Sequence, residues 1–140
     1  MNWVPPDAWL APRYAEWQAP AALRGQVACL WASVTPDTDG LVPSLILPDG
    51  CSDLIWEQGV GSYVAGPDTG PTRTPARPGT VFVGVRFRPA AGGQVLGLPL
   101  SELRDQRVPD VRGIILGQWK RPHHHLAARS RRGRCGRGRR

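Results

Sequence analysis

From residue 26 to residue 88 the chain is cut into strand-length runs of β-forming residues by closely spaced turn signals. Residues 80–88 (TVFVGVRFR) set the pattern, with Val81, Val83, Val85 and Phe87 alternating with Phe82, Gly84, Arg86 and Arg88. Such period-two alternation predicts a strand with one buried face, here the valine row. Residues 26–34 (QVACLWASV) read as a strand closed by a Pro36-Asp37 turn with Gly40. Residues 41–47 read as another, with Pro43 placing it at an edge or at the beginning of the paired stretch. In LPDGCSDLIW, residues 47–56, Pro48 presets the backbone for a turn, Asp49 bonds its own backbone, and Gly50 tolerates positive φ. A strand over 52–56 follows, Leu54 and Trp56 on one face and Asp53 and Ile55 on the other, and then a strand over 61–65. Residues 67–79 (PDTGPTRTPARPG) read as an exposed loop. Residues 8–18, broken by Pro12, read as an arm or a short helix. After Pro89, a helical turn over 90–98 and a short helix capped by Ser101 complete the body. A chain of 140 residues has room for one such domain. The expectation is a mainly β fold, a small β-barrel or sandwich of jelly-roll type with one or two short helices.

Charge divides the chain unevenly. The overall +7 is the sum of 9 − 11 = −2 over residues 1–112 and +9 over residues 113–140, where nine Lys or Arg meet no acid. That second stretch holds all three histidines and, after Trp119, a single large aliphatic residue, Leu126. It predicts a folded domain over 1–110 and a disordered basic tail over 111–140. Arg131, Arg132, Arg134, Arg137, Arg139 and Arg140 are the tail's candidate contacts to a polyanion, and with no aromatic among them binding would be non-specific and salt-sensitive. His123, His124 and His125 are adjacent residues without a second shell, and are read as solvated side chains rather than metal ligands.

The chemistry available to the body is narrow. No histidine precedes residue 123, so a histidine base, a Ser/His/Asp or Cys/His nucleophile and a histidine metal site are excluded from it. Asp49 and Asp53 sit four apart, ~13 Å along a strand, too far to act as a catalytic pair unless the chain bends. Cys51 has no cationic neighbour within three residues, which suits a structural thiol, and three cysteines without a CxxC pair suit a reducing compartment. No leader and no transmembrane run is present, so a cytoplasmic protein is expected, with no cofactor, no metal and no enzymatic activity. Face parity singles out four ligand-binding candidates, Trp31, Trp56, Arg86 and Arg88; the competing reading makes the tryptophans core and the arginines solvated.

The blocks ALRGQVACLWAS, PSLILPDGCSDLIWEQG, YVAGPDTG, PGTVFVGVRFRPAAGG and LGLPLSELRDQRV, in this order and spacing, resemble the N-terminal sensor domain of a subgroup of AraC-family transcriptional regulators. The resemblance runs over roughly residues 8–109. It implies a cupin-like domain that senses a small-molecule effector or supports homodimerisation, followed by about a hundred residues with two helix-turn-helix motifs. Here 31 residues follow Pro109, and none reads as a helix-turn-helix, so specific DNA binding by this chain alone is not expected. The Arg/Gly composition after residue 112 is what GC-rich coding DNA gives out of frame, and suggests a truncated or frameshifted regulator. The alternative function is a β-domain binding nucleic acid or another polyanion through its tail.

Overall fold

The computed structural model describes residues 14–43, 45–109, 111–118 and 120. Among them are eight strands: β1 (Tyr14–Trp17), β2 (Val27–Val34), β3 (Leu45–Ile46), β4 (Ser52–Glu57), β5 (Gly61–Ala65), β6 (Thr72–Arg73), β7 (Val81–Phe87) and β8 (Arg107–Val108). Three short helices accompany them, α1 (Ala91–Leu96), α2 (Leu100–Leu103) and α3 (Val111–Ile115). Six strands form one antiparallel sheet in the order β1-β2-β7-β4-β5-β8, and β3 pairs with β6 in a second, smaller one. The molecule is mainly β, a small sandwich.

The most regular sequence, β7, lies between β2 and β4. Leu30 pairs with Val85 and Trp31 with Gly84 on one side, Asp53 with Arg86 and Ile55 with Gly84 on the other. The helices cover one face of the large sheet, where Leu96, Leu103 and Ile114 pack with Val27, Val64 and Phe87. Val27 and Leu30 both join this cluster although they are three apart, because a bulge between Val27 and Cys29 resets the alternation. The opposite face carries a second cluster, Cys29, Trp31, Ile55 and Ala65 with Tyr63 and Phe82 against it. Alternation along β2, β4, β5 and β7 therefore sorts apolar residues to two covered faces.

Several expectations need correction. The valine row is not the one buried face of β7: Phe87 and Val85 are covered by the helical side, but Val83, beyond its reach, is 45% exposed. Residues 14–17 of the expected arm form edge strand β1, drawn into the sheet by backbone pairing with β2 from Tyr14↔Ser33 to Trp17↔Leu30. The strand over 41–47 shrinks to β3 and a bridge from Val42 to Ala76, and its partner β6 arises within the expected loop 67–79. Ser101 lies inside α2, whose N-cap is Pro99, and the chain leaves that helix for β8 through Asp105 at φ 56°. Packing continues past residue 110, since Ile114 of α3 is 1% exposed in the main core. Residues 121–140, with the six candidate tail arginines and the three histidines, lie outside the described residues.

Candidate ligand pocket

The second face of the large sheet opens onto a cavity of about 710 Å³. Trp31, Ile55, Tyr63 and Phe82 form its floor, while Ile46, Leu47, Arg73 and Pro75, from β3, β6 and their flanks, stand across from them. Such a volume is ordinary for a small-molecule site. Trp31 is 8% exposed and lies across β7 because Gly84 has no side chain. A Cβ at Gly84 would stand 2.2 Å from Trp31 Cε2. The Tyr14 ring stacks on Trp31 with centroids 6.1 Å apart and planes at 28°, and the Arg86 guanidinium lies 6.0 Å from the Trp31 ring centre. Cation–π attraction thus adds to the packing of this corner. Trp31 Nε1 is buried and has no acceptor among the described residues.

Arg86 reaches the cavity by alternation, since Phe82, Gly84 and Arg86 share the face that Trp31 occupies on β2. Asp53 arrives opposite it by the β4–β7 register. Arg86 Nε donates to Asp53 Oδ1 at 3.2 Å; Glu16 Oε1 lies 3.5 Å from Nη1 and Asp49 Oδ2 3.8 Å from Nε. Asp49 also closes the turn before β4, accepting from the Cys51 N–H at 2.8 Å while Gly50 takes φ 73°. At the other end Arg107 forks onto Asp68 at 3.0 and 2.7 Å. Bidentate pairs of this kind fix orientation as well as charge.

Burial opposes the Arg86 charge, but Asp53 outweighs it and pushes the guanidinium pKa above its ordinary range. Burial pushes the Asp53 carboxyl up, against the pull of Arg86. The Tyr63 phenol is pushed up to about 12, by burial first and then by Glu57. Burial also raises the thiols of Cys29 and Cys51, with Glu16 adding to the first and Asp49 to the second, so neither is an activated nucleophile. Among the described residues no group of three His, Cys, Asp or Glu could hold a metal ion. The lining combines an aromatic floor, an opposite wall of Ile46, Leu47 and Pro75 with Arg73 among them, and the charged side chains between.

Of the four ligand candidates, the structure brings two together and separates two. Trp31 and Arg86 meet at the cavity. Trp56 points to the other face, 45% exposed and paired with Val83. Arg88 lies past the end of β7, exposed, with Nε donating to the Arg24 carbonyl at 2.6 Å. Neither lines the cavity, because parity assigns Trp56 with Leu54 to the helical face and the strand stops before Arg88. Sequence reasoning missed Tyr14, Glu16, Asp49, Asp53 and Tyr63 as site residues. Asp53 had a signal, its alternation with Leu54 opposite a strand carrying arginine; Tyr14 and Glu16 had none, since β1 itself was not legible.

Among the described residues, no helix is long and apolar enough to cross a membrane. A protein family described as a domain of unknown function (DUF6597) matches residues 15–109. No curated protein and no solved structure matches the chain.

Proposed function

The chain belongs to the DUF6597 family, whose match runs over residues 15–109, from within β1 to past the end of β8, and on that footing we propose that it is the effector-sensing domain of a transcriptional regulator of the AraC type, binding a small molecule without transforming it. The cavity between the aromatic face of the large sheet and the β3–β6 pair is the observation that carries this reading. The order of the sequence blocks that resemble AraC-type sensor domains supports it. Among the described residues of the lining, burial raises the Cys51 thiol, and the two least exposed carboxylates, Asp53 and Asp68, are held by Arg86 and Arg107, which favours binding over a reaction centre.

Thermal unfolding of the full chain against a broad library of small metabolites tests the reading. A ligand that selects the folded state raises the midpoint with concentration. Binding in the cavity also changes Trp31 emission, and Ser33→Trp, which places an indole in the cavity from β2, abolishes the shift. A library that yields no shift, or a shift that survives Ser33→Trp, would sink the proposal.

A further inference from the structure

The charged side chains that line the cavity are engaged with one another, with one exception. Arg86 faces Asp53 and Asp49 at 3.2 and 3.8 Å, and Glu16, outside the lining, approaches it at 3.5 Å. Asp49 also accepts from the Cys51 N–H, Asp68 takes both donors of the Arg107 fork, and Glu57 is the side-chain hydrogen-bond partner of the Tyr63 phenol. Each carboxylate of the lining therefore has a donor within the fold. Arg73 is the exception. It lines the cavity from β6, and among the described residues its guanidinium has neither an ion pair nor a hydrogen bond. A guanidinium offers its donors in a planar fork that fits a carboxylate, and always carries its charge.

The apolar part of the lining gives a second, independent indication. Ile46 and Leu47, on the same wall as Arg73, and Val60, from the turn between β4 and β5, all line the cavity and all remain exposed. Ile55, on the floor below them, is buried. Large aliphatic side chains left uncovered together around one cavity are the mark of a ligand groove, because an apolar body seated there removes them from water. An unpaired cation and an uncovered apolar wall stand side by side.

We propose that the cavity binds a small amphipathic carboxylate. Its carboxylate takes the fork of Arg73, and its apolar body covers Ile46, Leu47 and Val60 and reaches the floor at Phe82. The assignment rests on the reading of this cavity as the ligand site and adds the charge of the ligand to it.

Phenylbutyrate, phenylbutyramide and phenylbutylamine share a phenylpropyl body and end in a carboxylate, a neutral amide and, one methylene further, an ammonium. Calorimetric titration of the full chain with the three is expected to rank the carboxylate tightest, by about tenfold over the amide, with the amine weakest. Arg73→Gln should bring the carboxylate down to the amide and leave the amide where it was. Arg77→Gln, which removes the same charge from the same segment outside the lining, should keep the ranking. An amide or amine that binds as well as the carboxylate overturns the assignment and leaves the pocket reading standing, as does a carboxylate preference that survives Arg73→Gln. If none of the three binds at millimolar concentration the assignment fails by itself, and the pocket reading stands or falls with the thermal shifts of the metabolite library. The wild-type ranking decides the matter alone should a variant not fold.

Discussion

Gly84 is the position on which the pocket face depends. The Trp31 indole rests over it, and a methyl group there would sit 2.2 Å from Cε2 and 2.4 Å from Nε1. Gly84→Ala must push the indole off the strand or bend β7 away from β2. Forced overpacking of this kind costs about 1–3 kcal/mol. The expected outcome is a lower midpoint in urea unfolding together with a changed tryptophan emission, and unchanged values for both would show that the indole does not rest on Gly84. At this scale part of the site was legible: alternation along TVFVGVRFR places Arg86 opposite the valine row, and Trp31 stands on a strong β-run. Legibility stopped at contact. Nothing in the spelling of residues 31, 53, 84 and 86 says that they become cross-strand neighbours, because that depends on which strands pair and in which register.

Elements were readable in proportion to their length and regularity. β2, β4, β5 and β7 stand close to where alternation and turn chemistry put them, since each buries enough apolar surface through its own pattern. β1, β3, β6 and β8 have two to four residues each and exist because a partner strand offers its hydrogen bonds. Helix α3 is the sharpest case. VRGII sits where the composition turns towards Arg and Gly, yet Ile114 is 1% exposed among Val64, Leu103 and Val108. Ile114→Ala should therefore cost about 2–5 kcal/mol. The neighbouring Ile115→Ala, at a side chain 65% exposed, should stay within about 0.5 kcal/mol. Chemical denaturation of the two variants decides whether the folded body includes α3; equal, small losses would return the boundary to residue 110.

For the whole molecule, pH links the site to stability. Both tyrosines of the chain, Tyr14 and Tyr63, line the cavity, and burial pushes each up to about 12 from an unfolded value of 10.0. A folded state that holds its phenolic protons more tightly than the unfolded chain is favoured below pH 10, and loses that advantage as pH rises from 10 towards about 12. Stability should fall across that window, and phenolate absorbance of the folded chain should rise late. An ordinary titration near 10 in the native state would contradict the upward shift of both phenols. The sequence by itself determined the fold class and the material of the site, because period-two alternation, turn residues and the absence of histidine before residue 123 are local facts. Only the tertiary structure decided that both faces of the sheet are covered, that Glu16, Asp49 and Asp53 converge on one arginine, and that Trp56 and Arg88 stand apart from it. The physical reason is that strand order and register are settled by the joint burial of many residues far apart in the chain, while alternation along one strand assigns a side chain only to a face.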